Sequence, residues 1–432
     1  MIDLNFSALQ AHTKLAVSGY NGTIVPFLAA GFSRPFHRFS QDSFKGSRMT
    51  AVRSLAARVA TLQPSATVEM SERVRNARAA GKRILGLSSG DPNIPTDPRI
   101  IAAAERSLRR GDTLYSAPAG LLPLREAIAG REARLSGIAI DPADVLITPG
   151  GKFAVLAALM ATVSEGDEVL VPDPGWVSYG PCVSLCGGAP VAVPCLNGYD
   201  AVRLESAITP RTRAIIVNSP ANPSTHVATQ AELQAILAVA ERHDLWIIFD
   251  QVYAEMNYAE AIPRLQSLPG ARARTFIADS LSKTFGMTGW RIGMLIPPPG
   301  LAKAIVRFIG HSIYCVPPFV QAAAIEAFNL ADEIIPAIRE TFRKRIAVAA
   351  PRLNNVQGIT CAASRATFYL FPKVAADERV VAKRWLDEGG IAVLPGSAFG
   401  DGGKTFLRIS LACSDAELDE ALTRIERFGI GA

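Results

Sequence analysis

The sequence predicts an α/β protein: a large, doubly wound domain with a mostly parallel sheet, and a second, smaller α+β domain. Short apolar, β-branched runs that end at Pro, Gly, Asp or Asn alternate with amphipathic helical stretches, which is typical of a parallel sheet covered by helices on both faces. The runs are almost continuously hydrophobic, as expected for strands that are buried on both sides. Ligands bind beyond the carboxyl ends of such strands, so functional residues are expected just after them.

Six runs are expected to be strands of the large sheet: residues 145–148, 168–171, 191–193, 214–217, 246–249 and 275–278. Helices are expected between them, for example over residues 152–163 and 229–243. A longer helical stretch, residues 300–329, is interrupted at Pro317 and Pro318, because proline cannot donate the helical hydrogen bond.

The chain is expected to divide into three parts. Residues 49–95 and 331–432 are expected to form the small domain, and residues 96–330 the large, ligand-binding domain. Residues 1–48 lack sustained periodicity and form an atypical N-terminal extension, which we expect to be a non-native or misassigned start with Met49 as an alternative initiator. The expected small-domain elements are strands over residues 368–371, 392–394 and 406–410 and a helix over residues 415–428.

Composition excludes several classes of protein. Hydrophobic residues make up 49% and charged residues 19% of the 432 residues, too apolar a mixture for a disordered chain. No window reaches the ~18 consecutive apolar residues of a membrane span, so a soluble protein is expected. The net charge of +6 includes no basic run, so no nucleic-acid partner is expected. The six cysteines are too scattered for a disulfide framework or a metal site, which favours the reducing cytoplasm.

One lysine among hydroxyl residues follows the last of the six expected strands. Lys283 comes after Ser280 and Ser282, and Arg291 follows eight positions later. Burial lowers the pKa of a lysine, so its amine can become a Schiff-base nucleophile. The two hydroxyls and the guanidinium could together hold a phosphate dianion. Two other motifs are rejected: the partner motifs of penicillin-binding enzymes are absent, and the Gly-Gly-Lys segment at 150–152 lacks the remainder of a Walker loop.

Residues 280–293 resemble, position for position, the pyridoxal-phosphate lysine signature of class I aminotransferases, which are fold type I enzymes. The resemblance covers residues 49 to about 428. It implies amino-group transfer between an L-amino acid and a 2-oxo acid, with pyridoxal 5'-phosphate held by Lys283. It also implies that Asp250 keeps the pyridine nitrogen of the cofactor protonated, and that Tyr253 donates a hydrogen bond to the phenolate oxygen. Lys283, Asp250 and Tyr253 are therefore the expected catalytic residues.

The resemblance also assigns residues that bind the cofactor and the substrate. Cofactor binding is implied for Asp250, Tyr253 and Lys283, for Gly151, Lys152, Trp176, Asn222, Ser280, Ser282 and Arg291, and for Tyr115, which would reach the phosphate of a neighbouring subunit. Substrate binding is implied for Gly90, Trp176, Asn222 and Arg408, whose guanidinium would clamp the substrate carboxylate. A homodimer with shared active sites is therefore expected.

Lys152 follows two glycines as in bacterial aspartate aminotransferases, where, by this resemblance, the lysine meets the side-chain carboxylate of the substrate. Aspartate is therefore the favoured donor, with an acceptor such as 2-oxoglutarate. Alternatives stay open: an aromatic, branched or other amino donor, or a pyridoxal-phosphate lyase of the same fold. A non-catalytic, effector-binding relative would usually carry a basic helix-turn-helix, for which residues 1–48 have no pattern.

The sequence departs from the family pattern in three segments. The usual Asn-Pro-Thr-Gly reads Asn-Pro-Ser-Thr at residues 222–225. The common Asp-Glu-x-Tyr has Gln251 in place of the glutamate. The usual Gly-Ala-Phe or Gly-Thr-Phe segment reads Arg-Ala-Thr-Phe at residues 365–368. None of these changes removes a group that is expected to act in catalysis, but each bears on substrate preference.

Overall fold

Fourteen strands occur in the part of the chain that the computed structural model describes, residues 55–62, 64–258 and 261–431. In chain order the strands are β1 (Leu85–Gly86), β2 (Leu146–Thr148), β3 (Glu168–Asp173), β4 (Ala189–Pro194), β5 (Thr212–Asn218), β6 (Trp246–Asp250), β7 (Thr275–Ser280), β8 (Gly293–Ile296), β9 (Ile359–Thr360), β10 (Tyr369–Leu370), β11 (Lys373–Val374), β12 (Ile391–Ala392), β13 (Leu394–Pro395) and β14 (Leu407–Ser410). The expectations for residues 1–48 and for Met49 lie outside the described residues.

The α-helices of the same residues alternate with the strands through the middle of the chain. In chain order they are α1 (Ala57–Ala60), α2 (Ala66–Ala79), α3 (Pro98–Arg109), α4 (Leu122–Ser136), α5 (Gly151–Thr162), α6 (Tyr179–Leu185), α7 (Ala201–Ala207), α8 (Gln230–Arg242), α9 (Leu281–Thr284), α10 (Ala302–Ser312), α11 (Pro318–Asn329), α12 (Ala331–Asn354), α13 (Glu378–Asp387) and α14 (Asp415–Phe428). None of these helices is both long and apolar enough to cross a membrane.

The central sheet has seven strands within the described residues, in the order β2-β8-β7-β6-β5-β3-β4. Five consecutive strands of this sheet, β7, β6, β5, β3 and β4, are parallel to their neighbours in that order. β8 runs antiparallel to both β7 and β2. The predicted α/β class with a mostly parallel sheet is confirmed. All six predicted strands of this sheet are present, and β8 is the strand of this sheet that the sequence analysis missed.

Alternate side chains of the central strands pack against helices on opposite faces of the sheet. Ile216 of β5 and Ile248 of β6 belong to a core cluster that includes α5 and α10. Their neighbours Ile215 and Ile247 belong to a second cluster that includes α8. Fully burying a side chain of this size contributes about 1.5–3 kcal/mol, so the apolar residues of each strand stabilise both layers.

The helix boundaries follow from local sequence signals. Thr229 caps α8 and Ser414 caps α14, each in a capping box with the glutamate three residues later. The predicted helices over residues 229–243 and 415–428 therefore agree closely with the structure. The expected interruption near Pro317 separates α10 from α11, which starts at Pro318, a position where the missing N–H costs nothing.

Three small sheets are built from segments near residue 85 and from residues 359–410. β1 pairs with β12, β9 with β11, and β14 lies between β10 and β13. The single strand expected over residues 392–394 is wrong in detail, because β12 and β13 pair with different partners there. Residues of α12, α13 and α14 form one hydrophobic core with residues of these strands other than β13. The division of the chain into residues 49–95, 96–330 and 331–432 stays a prediction.

Candidate active site

A cavity of about 360 Å³ opens where β5, β6 and β7 end. The end of each strand supplies a polar side chain, as expected for the carboxyl edge of a parallel sheet. Of the residues assigned from the sequence, the cavity is lined by Gly90, Gly151, Lys152, Trp176, Asn222, Asp250, Tyr253, Ser280, Ser282, Lys283, Arg291 and Arg408. Residues that are far apart along the chain are therefore brought into one place.

Lys283 lies in the short helix α9, directly after β7. Its Nζ donates a 2.6 Å hydrogen bond to the carbonyl oxygen of Gly90. Burial lowers the pKa of Lys283 to about 8, against the opposing effect of the nearby Asp91 carboxylate. A substantial fraction of the amine is therefore neutral near pH 8, which is the state that a nucleophile or a base requires.

We expect the amine of Lys283 to titrate near pH 8 in the cofactor-free protein. Its rate of reductive methylation by formaldehyde should rise about tenfold per pH unit below this value and level off above it, because only the neutral amine reacts. Mass spectrometry of the peptide that contains Lys283 measures the rate. Methylation of Lys303, an exposed lysine of α10, shows that the reagent stays active at each pH. A Lys283 rate that still climbs tenfold between about pH 9 and 10 would contradict the lowered pKa.

Asp250 ends β6 with its carboxyl group buried, 6% of the residue being exposed. The Tyr179 hydroxyl donates a 2.6 Å hydrogen bond to Oδ2, and the Val252 backbone N–H donates to Oδ1 at 3.2 Å. Burial raises the pKa of Asp250, and the bond from Tyr179 opposes that rise. Across the described residues, no side chain forms an ion pair with this carboxyl group. It is therefore suited to a cationic group of a ligand.

Arg408, in β14, is 1% exposed and has no carboxylate partner in the described part of the chain. Its Nη1 donates to Oδ1 of Asn222 at 3.1 Å, and its Nη2 to the carbonyl oxygen of Ser88 at 2.7 Å. The guanidinium lies over the rings of Tyr369 and Phe399, 4.4 and 4.9 Å from their centroids. Among the described residues, its buried Nε has no hydrogen-bond partner. A buried, stacked guanidinium of this kind is suited to bind a carboxylate.

A cradle for an anion lies at the start of α5. Gly150, the N-cap, has φ of 92°, and a Cβ atom there would lie 2.6 Å from Nη2 of Arg291. The Ser280 hydroxyl donates to Oγ of Ser282 at 2.8 Å beside this helix start. Free backbone N–H groups of a helix N-terminus, two hydroxyls and a guanidinium form a site that fits a phosphate.

Two aromatic contacts define the walls of the cavity. Nζ of Lys152 lies 5.3 Å from the ring centroid of Trp176, and the rings of Trp176 and Tyr179 are nearly perpendicular, with centroids 5.3 Å apart. The hydroxyls of Tyr253 and Tyr369 are 3.1 Å apart, and both side chains are buried. Burial raises the pKa of Tyr253 well above its ordinary value, so this phenol stays protonated and can donate a hydrogen bond.

Tyr115 is the assigned residue that the structure does not bring to the cavity. It is 83% exposed, and its ring packs against that of Tyr314 at a centroid distance of 4.5 Å. This position is compatible with a contact to another subunit. Its binding to the phosphate of a neighbouring site stays a prediction.

Sequence reasoning missed several residues that line the cavity. They are Thr67, Val68, Ser71, Arg75, Tyr179, Asn218, Val252 and Tyr369. Tyr179 lies three residues after Trp176, and this spacing places both on the same side of one turn. Thr67, Ser71 and Arg75 recur every four residues along α2, a polar stripe that could have been noticed.

The comparisons with known proteins agree with this geometry. Residues 82–425 match the family described as "Aminotransferase class I and II", and the chain belongs to this family. The prediction of a class I aminotransferase, an enzyme that transfers amino groups, is confirmed. Members of this family are pyridoxal-phosphate enzymes.

Two relatives and one solved structure give the extent of the similarity. The aspartate aminotransferase of Geobacillus stearothermophilus is 36% identical over 390 residues, 87% of this chain and 98% of that protein. The aspartate/prephenate aminotransferase of Cereibacter sphaeroides is 36% identical over 393 residues, 86% of this chain and 98% of that protein. The solved structure of Thermus thermophilus aspartate aminotransferase with maleate has a TM-score of 0.83 and 33% identity, and the match covers 87% of this chain and 100% of that chain.

Proposed function

We propose that the cavity binds pyridoxal 5'-phosphate and that the protein transfers the amino group of L-aspartate to a 2-oxo acid such as 2-oxoglutarate. The observation that carries the proposal is the convergence of an amine with a pKa of about 8, at Lys283, and a buried carboxyl group without an ion-pair partner in the described residues, at Asp250. The cradle of Gly150, Ser280 and Arg291 fits the phosphate of the same cofactor.

Each residue has a separate task in this proposal. When bound, pyridoxal phosphate supplies an electron-withdrawing ring that stabilises negative charge at the substrate Cα. Asp250, which accepts a hydrogen bond from Tyr179, would keep the ring nitrogen protonated, and the protonated Tyr253 phenol would donate a hydrogen bond to the phenolate oxygen. Trp176 lines the same cavity and would contact the ring. These groups are fixed before the substrate arrives, so little reorganisation is needed during the reaction.

Lys283 and Arg408 act on the substrate. The neutral Lys283 amine would take the proton from the substrate Cα as a base, and the resulting ammonium group would give that proton back as an acid. Arg408 and Asn222 bind the substrate α-carboxylate and so orient the Cα–H bond toward the amine. Gly90, whose carbonyl already accepts a hydrogen bond from Nζ of Lys283, lines the carboxylate side of the cavity.

The preference for a dicarboxylic donor is supported by two cations at the cavity. Lys152 is exposed, and its amine lies over the ring of Trp176. Within the described residues, no carboxylate forms an ion pair with it. Arg75 lines the same cavity from α2, and its one ion pair within the described residues is a long one, 3.9 Å, with Glu72. A second carboxylate on the substrate would therefore meet positive charge at the entrance of the site.

We expect Lys152→Met and Arg75→Met each to raise the KM for aspartate about fivefold while the KM for leucine changes little, because each exposed cation contributes a modest charge interaction. Steady-state assays with 2-oxoglutarate measure both values. Arg73→Met is the matched control, since Arg73 lies on α2 without lining the cavity. Equal wild-type rates with leucine and aspartate would refute the dicarboxylic preference, and pyruvate and ammonia formed without an oxo acid would indicate a lyase.

We also propose a homodimer in which Tyr115 of one subunit approaches the phosphate of the other. The support is an apolar surface on the single chain: Leu114 is 79% and Tyr115 83% exposed. Tyr314, which packs against Tyr115, extends this surface. Large side chains exposed together in this way are typical of a protein interface.

A further inference from the structure

A cluster of buried polar side chains lies behind the cavity, on the opposite side of the strand ends. Its members are Glu132 of α4, Gln251 after β6, Arg264 and Gln266 of the following turn, and Asp279 of β7. All of them except Asp279 are less than a tenth exposed. Buried polar groups are costly unless every one is hydrogen-bonded, so the pattern of donors and acceptors in this cluster is informative.

The amide of Gln251 uses its full hydrogen-bonding capacity. Its Nε2 donates to Oε2 of Glu132 at 3.0 Å and to Oδ2 of Asp279 at 3.2 Å. Its Oε1 accepts from Nε2 of Gln266 at 2.9 Å and from Nη1 of Arg264 at 3.2 Å. Since the two carboxyl groups accept, the residue between them must donate.

This amide joins the two strands that carry the catalytic groups. Gln251 directly follows Asp250, and Asp279 directly precedes Ser280. Oδ1 of Asp279 also accepts a 2.6 Å hydrogen bond from the backbone N–H of Ser280. One chain of hydrogen bonds therefore runs from the residue beside Asp250 to the backbone of Ser280.

We infer that Gln251 is a positioning residue: its amide sets the separation between the Asp250 carboxyl group and the Ser280 hydroxyl, and its identity is coupled to that of Asp279. The inference rests on the proposed function, which places a ring nitrogen at Asp250 and a phosphate at Ser280. An ionised glutamate, the common residue of this family at this position, cannot donate to Asp279. The glutamine here can donate to Asp279 whether that carboxyl group is ionised or protonated.

The charges of the cluster favour a neutral side chain at position 251. Burial raises the pKa of Asp279 to about 8, while the bond from the Ser280 backbone and the Gln251 amide lower it. A third carboxyl group at position 251 would stand beside Glu132 and Asp279, with Arg264 as the cation of the cluster. Such a group would add uncompensated negative charge next to Asp250.

The test is an exchange of the two side chains. We expect Gln251→Glu to lower kcat about tenfold or more and Asp279→Asn to lower it less. An asparagine at position 279 can keep the hydrogen bond from Ser280, but its Nδ2 would then face Nε2 of Gln251, and two donors cannot bond to each other. The double variant Q251E/D279N should be more active than Q251E, since Nδ2 of the new asparagine can donate to the new glutamate. A double variant as inactive as the product of the two single effects would overturn the coupling.

A second measurement separates positioning from a loss of stability. In the holoenzyme, Q251E should raise the pH at which the visible absorbance of the bound cofactor titrates, and the double variant should return it toward the wild-type value. Gln321→Glu is the matched control: Gln321 is a fully buried amide of α11 that does not line the cavity, so its variant should lower the melting temperature without moving this titration. An unmoved titration in Q251E would overturn the inference. Wild-type protein without transamination would instead refute the proposed function.

Discussion

Lys283→Ala is expected to lower kcat about ten thousandfold and to abolish the visible absorbance of the bound cofactor at the same time. Lys283 is the lysine that lines the cavity beside Asp250, with its Nζ held 2.6 Å from the Gly90 carbonyl oxygen. In the proposed function this amine both holds the cofactor and moves the proton, so its removal should abolish both. Steady-state rates with aspartate and 2-oxoglutarate, together with absorbance spectra of the dialysed protein, measure the two effects.

Two further variants make this result specific. Lys303→Ala removes an exposed lysine of α10 and should leave both the rate and the spectrum unchanged. Lys283→Arg keeps a positive charge but has no neutral amine at accessible pH, so it should be as inactive as the alanine variant. An alanine variant with wild-type turnover would show that the proton is moved by another group and would end the assignment of Lys283.

The fold could be predicted where the sequence signal is local and repeated. The long runs that became β3, β5 and β6 are apolar, β-branched and buried on both faces, and each ends at a polar residue. β8 was missed because Gly293–Ile296 is short, begins with glycine and directly follows the lysine signature, so it reads as the end of that motif. β8 pairs antiparallel with β2 and β7. Such pairing depends on how the chain folds and cannot be predicted from the alternation of polar and apolar residues along one strand.

The candidate site could be predicted where its residues lie in one signature. Ser280, Ser282, Lys283 and Arg291 occur within twelve residues, and the structure gathers all four at the same cavity. Tyr179 has no such signal, because its hydroxyl reaches Asp250 across 71 positions of sequence. A contact of that kind is set by the packing of α6 against the sheet and is absent from any local pattern.

The hydrogen bonds of Gln251 also could not be predicted from the sequence, because they join residues that are far apart in the chain. Gln251 departs from the family pattern, and the side chains that its amide bonds, Glu132 and Asp279, are 119 and 28 positions away. Sequence reasoning could register the change but could not supply the two acceptors that make an amide necessary. Which buried donor pairs with which buried acceptor can be determined only when the distances between them are known.

Asp250→Asn is expected to lower kcat about a thousandfold while the cofactor stays bound. The carboxyl group is buried and aimed into the cavity, and in the described residues its hydrogen bonds come from uncharged donors, Tyr179 and the Val252 backbone. Asparagine has nearly the same shape but no negative charge, so it cannot keep a ring nitrogen protonated. The phosphate cradle, Lys283 and the ring contacts are unchanged, which is why binding should survive.

The comparison variant for this prediction is Tyr179→Phe. It removes the 2.6 Å hydrogen bond to Oδ2 but keeps the charge of Asp250, so it should cost only about tenfold in kcat. Spectra of both variants after dialysis establish that each still holds the cofactor. If Asp250→Asn and Tyr179→Phe lose equal activity, the orientation of the carboxyl group matters and its charge does not. That result would exclude a role for the negative charge of Asp250, because aspartate and asparagine differ in charge but hardly in volume.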